Sequence, residues 1–142
     1  MKATVKWVQD VQFIGETGSG HSVVMEGPEK YGGHGTAARP MEMILLGLGG
    51  CTSFDVIHIL KKSRQAVEDC VVSISAERSD KTPKVFTKIQ LHYTVTGHAL
   101  NPKQVRKAIE LSAEKYCSAS IMLGKSVEIV HDFDIIESTR SN

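Results

Sequence analysis

The stretch ILLGLGGCTSFDVIHILKK, Ile44 to Lys62, decides how the rest of the chain is read. Its apolar residues cover more than one stripe of a helical wheel, and only from Lys61 to Gln65 does the surface turn polar. A helix apolar nearly all round is buried on several sides. A monomer of 142 residues has trouble covering such a helix alone, which points to a subunit interface. Pro40, just ahead, fits the first helical turn. Three glycines, Gly47, Gly49 and Gly50, stand directly before Cys51. Each costs a helix interior roughly 1 kcal/mol relative to alanine. Either they let another backbone come close, or they leave open space around the thiol.

Upstream of this helix the chain reads as strands. ATVKWV, VQFIG and HSVVME are β-rich, with the hairpin turn ETGSG before the last of them. Trp7 alternates with Val5 and is expected in the core. Gly27 to Ala38, GPEKYGGHGTAA, holds four glycines and a proline without an apolar period, so a mobile loop is expected. Downstream, Val85, Ile89, Leu91, Tyr93 and Val95 share one parity, the mark of an antiparallel strand with one wet face. The strand before it puts Cys70 in line with Val72, Ile74 and Ala76, as a small hydrophobe. Asn101 and Pro102 open a second helix with an inward stripe of Val105, Ala108, Ile109, Ser112, Ala113 and Tyr116. VEIVHDFDII forms a last strand, and STRSN a frayed tail. The order is that of an α+β fold with antiparallel pairing, in a single domain spanning 1–142.

Composition narrows the function. The 17 basic and 16 acidic residues give no electrostatic case for nucleic acid or an anionic membrane. No signal-peptide pattern opens the chain, and the apolar run from Met43 to Gly50 falls short of the ~20 residues that span a bilayer. A cytoplasmic protein is expected. Cys51, Cys70 and Cys117 lie far apart and are odd in number, unlike a secreted disulfide framework. No CxxC, HExxH or close Cys/His pairing suggests a metal site.

Cys51 and Cys117 each sit in or beside a helix among small residues, in GGCTS and CSAS. One reading makes both of them packing residues, since free cysteine is among the most buried types. The other makes them a redox pair, in which one thiolate becomes a sulfenic acid and the second condenses with it to a disulfide. That chemistry needs a lowered pKa at the attacking sulfur and a second sulfur within bonding reach.

RPMEMILLGLGGCTSFDVIHILKK together with SAEKYCSASIML resembles the OsmC/Ohr family, the osmotically induced and organic-hydroperoxide-resistance proteins, and within it the YhfA-like branch. The resemblance runs from VKWV through SGHSVVMEG and FTKIQLHYTVTG to the last strand. It implies an intertwined homodimer with a strongly bent sheet and a central helix buried between subunits. It also implies a thiol peroxidase of oxidative-stress defence, with Cys51 attacking a peroxide and Cys117 resolving the sulfenic acid. A dithiol or lipoyl-type reductant then restores both thiols, without metal or other cofactor. The apolar neighbours Leu48, Phe54, Met122 and Leu123 favour an organic hydroperoxide. In the family's peroxidases a glutamate directly follows the helix-opening proline and helps hold an arginine over the reactive sulfur. Here that position is Met41 and the glutamate is Glu42, turned by ~100° on a helix. Arg39 is the nearest counterpart of the arginine, and it reads equally as a solvated loop residue.

Two rival functions stay open. Met41 in place of the glutamate favours a weakly active or inactive member, a dimer that binds a small apolar ligand or senses redox state. A Cys51/His58 acyl-transfer enzyme is the other, without an oxyanion-hole motif to support it. His58 reads first as an interface histidine, His131 as structural and His34 as solvated. Tyr116 reads first as packing and second as a pocket wall.

Overall fold

The computed structural model describes residues 1–139. They fall into two compact units, Met1–Leu46 and the chain from Gly47 onward.

The first unit is an antiparallel sheet in the order β1-β2-β3, with β1 at Ala3–Gln9, β2 at Gln12–Thr17 and β3 at Ser22–Glu26. Trp7 is 64% exposed, against the expectation of a core residue, and every other residue of β1 is exposed as well. The glycine-rich segment after β3 is tied down rather than loose. Glu26 is buried, and its carboxylate accepts from His34 N at 2.7 Å, Thr36 N at 2.8 Å and Thr36 Oγ1 at 2.9 Å. Those backbone donors hold its pKa below the ordinary carboxylate range. Gly33 makes the turn possible, since a Cβ there would meet Gly27 O.

Helix α1, Pro40–Lys62, begins in the first unit and continues into the second. Glu42 Oε2 accepts from Arg39 N at 2.8 Å, and Met43 N bonds Arg39 O at 3.0 Å, so Arg39 is the N-cap and Glu42 reaches back to it as in a capping box. The helix ends where Arg64 takes a left-handed φ of 58° and Gln65 N returns to Leu60 O at 2.9 Å. With 23 residues, and a mean hydropathy of 1.7 over its most apolar 18, α1 is long and apolar enough to cross a bilayer by length and composition alone. The chain buries only one side of it. Leu48, Gly49, Thr52, Val56 and Leu60 are covered, while Leu46 is 61% and Phe54 70% exposed. The helix expected to be buried all round is therefore half open within one chain.

The second unit holds β4 at Ala66–Arg78, β5 at Phe86–His98 and β6 at Glu128–Glu137, in the order β4-β5-β6. Ile89, Leu91, Tyr93 and Val95 face the core, as their parity requires. Val85 does not, because the register shifts between Glu77 and Arg78 and brings Phe86 inward. β4 and β5 are antiparallel, but β5 and β6 are parallel, with Tyr93 opposite Phe133. This corrects the all-antiparallel expectation. Parallel neighbours need a long crossover, and residues 99–127 supply it as α2 at Pro102–Leu111, a π turn at Ser112–Tyr116 and α3 at Ser118–Leu123. Asn101 caps α2 as its sequence predicts, accepting from Lys103 N at 2.9 Å.

Candidate functional site

Cys51 projects from the middle of α1, just past a close approach of the helix to β4. A Cβ on Gly49 would come within 2.8 Å of Ile74 Cδ1 on β4. Gly49 therefore serves close approach, while Gly47 and Gly50 have open space beside them. Cys51 is half-buried and Cys117 is closed to solvent, and both are free thiols.

The π turn sets Cys117. Its N–H bonds Ser112 O at 2.8 Å, five residues back, where an α-helix would reach only four. The chain then turns extended at Cys117, and its sulfur caps α3 by accepting from Ser120 N at 3.3 Å. Burial pushes the Cys117 thiol up, and the hydrogen bonding and charge of the adjacent Cys51 thiol push the same way. The hydroxyl and N–H of Ser120 pull it down. The fold thus brings Cys51 and Cys117 together.

Beside the thiols runs a chain of buried hydroxyls. Tyr93 Oη lies 2.6 Å from Thr52 Oγ1, Thr52 Oγ1 lies 2.8 Å from Ser112 Oγ, and Ser112 Oγ donates to Asp55 Oδ2 at 3.2 Å. A hydroxyl has one proton to give. Ser112 spends its own on Asp55, so it accepts from Thr52, which in turn accepts from Tyr93. Every donor points toward the carboxylate. Burial raises the Tyr93 phenol to about 12, against the opposing bond to Thr52.

Asp55 opens onto a cavity of about 520 Å³ between α1 and α2, whose walls include His58, Lys62, Lys107, Leu111 and Tyr116. Tyr116 is 51% exposed, so it is a cavity wall rather than a packing residue. His58 is exposed and stacks on Phe54, with ring centroids 6.0 Å apart. Among the described residues no hydrogen bond joins it to Cys51.

Arg39 and Glu42 belong to the N-terminal unit, whereas both thiols belong to the other. The contact shown between the two is the cap, from the backbone N–H of Arg39 to the Glu42 carboxylate. Among the described residues no ion pair joins the Arg39 guanidinium to Glu42. Of the expected apolar wall, Leu48 is buried, while Phe54 and Met122 are 70% and 66% exposed. Cys70 is half-buried, and burial, followed by the charge of Asp69, raises its thiol, in keeping with a packing role. His34 is exposed and pairs with Asp10 at 3.2 Å, and His131 is exposed on β6.

The hydroxyl chain, the π turn and Ser120 were not singled out from sequence as site residues. The available signal was polarity on a buried face, with Thr52 directly after Cys51 and Ser112 on the inward stripe of α2.

Comparison with known proteins places this architecture. Residues 33–132 match the family model described as OsmC-like protein. Protein YhfA of Escherichia coli K12 is 46% identical over 136 residues, covering 96% of this chain and 98% of that protein. The structure of a hypothetical protein from Aquifex aeolicus VF5 superposes with a TM-score of 0.85 at 27% identity, over 96% of each chain. An organic hydroperoxide resistance protein OsmC from Legionella pneumophila shares the fold with a TM-score of 0.72 at 20% identity, over 94% of this chain and 95% of that one. With a family model spanning most of its length and an α+β fold to match, the chain belongs to the OsmC-like protein family.

Proposed function

We propose that this protein reduces organic hydroperoxides through a two-cysteine cycle, with residues 1–142 acting as one OsmC-like domain. The observation that carries the reading is the adjacency of two free thiols, one half-open and one sealed. The Cys51 thiolate attacks the terminal peroxide oxygen. The O–O bond breaks, the alkoxide leaves as an alcohol after taking a proton, and Cys51 becomes a sulfenic acid. Cys117 then attacks that sulfur, forming the disulfide and releasing water. An external dithiol, lipoyl-type or other, supplies the two electrons that restore both thiols. No step calls for a metal, and among the described residues no group of three or more His, Cys, Asp or Glu side chains is placed to hold one. The relative from Legionella pneumophila, named an organic hydroperoxide resistance protein, supports the substrate class.

The working form is a cytoplasmic homodimer. Trp7, Leu46 and Phe54 are all more than half exposed in one chain, and a second copy accounts for such apolar faces. Arg39 is assigned to the charge field of the attacking sulfur, and Glu42 supports it through the helix cap.

The test adds one equivalent of cumene hydroperoxide to reduced protein and counts free thiols under denaturing conditions. Rapid loss of two thiols, abolished in Cys51→Ser, is expected. Retention of all three over hours would remove the peroxidase reading. It would favour a member that binds a small apolar ligand, the reading that Met41 in place of the family glutamate supports.

A further inference from the structure

Ser120 carries an unexplained feature. Its hydroxyl is buried and makes no hydrogen bond of full geometry, alone in this among the buried side-chain oxygens and nitrogens of the described residues. Buried hydroxyls normally find partners, and one that does not calls for a reason. The neighbour it reaches is the sulfur of Cys117, which already accepts the N–H of the same serine at 3.3 Å. A neutral thiol is a weak acceptor, while a thiolate is a strong one.

We propose that Ser120 is a positioning residue of the resolving step, its hydroxyl turning fully onto Cys117 Sγ when that sulfur ionises. The inference rests on the two-cysteine reading above and adds a residue to it. The Ser112 O bond to Cys117 N and the Ile121 N bond to Cys117 O, at 2.8 and 3.0 Å, fix the backbone on both sides of the sulfur. Ser120 then gives the anion two donors from one residue. In the step itself Cys117 sulfur attacks the sulfenic sulfur of Cys51. An S–S bond forms, the S–O bond breaks, and the proton lost by Cys117 ends on the departing hydroxide as water. The same two donors stabilise Cys117 as the leaving thiolate when a reductant attacks Cys51. Among the described residues the titratable groups acting on this sulfur are the Cys51 thiol on α1 and the Tyr93 phenol on β5, with Asp55 at the far end of the hydroxyl chain. None of these three groups is a cation, so they give the Cys117 anion no ionic stabilisation.

The test uses protein carrying Cys51→Ser and Cys70→Ser, which leaves Cys117 as the sole thiol, and follows thiolate absorbance against pH. Adding Ser120→Ala is expected to move the titration to higher pH, with about tenfold less thiolate at a given pH, the loss of one bond to a charged acceptor. Ser120→Thr keeps the hydroxyl and is expected to restore most of it. Mere loosening would act in the opposite sense, because burial is the main cause raising this thiol and water would lower it. An unchanged or acid-shifted titration in Ser120→Ala overturns the proposal. Ser120→Gly replaces it should the alanine protein not fold, with the same expectation. In protein with all three cysteines, Ser120→Ala is also expected to prolong the Cys51 sulfenic acid after one equivalent of peroxide, read by trapping with a diketone. If the unsubstituted protein forms no sulfenic acid, the peroxidase reading fails while the titration still decides the Ser120 contact.

Discussion

Thr52 Oγ1 and Tyr93 Oη meet at 2.6 Å in a site closed to solvent, joining α1 to β5 by a hydroxyl pair directly beside Cys51. The next link, to Ser112 at the start of the π turn, extends the tie to the segment that carries Cys117. The element bearing one thiol is thus fastened to the element bearing the other through side chains that do no chemistry.

Thr52→Val removes the central link and leaves Tyr93 without its acceptor and Ser112 without its donor. A loss of about 1–3 kcal/mol of stability is expected from the unpaired groups, read by urea denaturation. Adding Tyr93→Phe is expected to cost less than the sum of the two single changes, because one orphan then disappears. Strict additivity would show that the two hydroxyls do not interact.

Tyr93 predicts an alkaline slope. Its folded pKa of about 12 exceeds the ordinary 10, so the unfolded chain loses this proton first. The stabilising contribution is complete below pH 10 and falls as pH rises through 12. Tyr93→Phe, compared with the parent at each pH, is expected to flatten stability over that window. An identical slope in both proteins would argue against it.

His92 predicts the opposite end of the scale. Its ring lies between Asp132 and Asp134, at 2.7 and 3.2 Å, and the bond to Asp132 is the main cause raising its pKa above 6.5. The contribution of the paired imidazolium is therefore present below pH 6.5 and lost as pH climbs through the raised value. The stability gap between parent and His92→Gln is expected to close with rising pH. A gap that widens would contradict the sign.

The glycines before Cys51 separate two kinds of space. A Cβ on Gly49 meets Ile74, whereas one on Gly47 or Gly50 would meet nothing within 4 Å beyond its own helix among the described residues. For an isolated chain, Gly47→Ala and Gly50→Ala should each add roughly 1 kcal/mol of helix preference. In a homodimer packed on this face they are expected instead to weaken association, seen by sedimentation as a shift toward 15.5 kDa. Stable dimers from both variants would place the interface elsewhere.

Glu42→Ala is expected to lower stability by roughly 0.3–1.5 kcal/mol through loss of the side-chain cap on Arg39 N. Glu42→Gln, which can still accept that N–H, should recover part of it. A thermal melt unaffected by either change would show that the cap contributes nothing.

Much of the fold was legible because it obeys local rules. Pro40 and the apolar run mark α1, Asn101 and Pro102 mark α2, and alternation from Ile89 to Val95 marks the core face of β5. The direction of β6 was not legible, because its pattern of Ile129, Phe133 and Ile135 suits either orientation and the crossover alone decides. Trp7 misled for a related reason. Alternation says that a face is meant to be covered but not by what, and within one chain it stays bare. At the site, the cysteines stood out by their neighbours. The π turn left no mark, since one extra residue in a helix changes no composition, and with it went the placement of Ser112 and Ser120. Glu42 was visible as a carboxylate, but its use as a cap depends on where the helix begins.

The crossover has a kinetic corollary. Cys117 travels on the segment that must fold back before β6 can settle alongside β5, and pairings so distant in sequence come together late in folding. An oxidant reaching the half-made chain would find Cys51 without its companion. In such a molecule a sulfenic acid has no internal partner and is left to over-oxidation or to foreign thiols. Under the proposed two-cysteine cycle, the safety of the first sulfur thus depends on the crossover having folded into place.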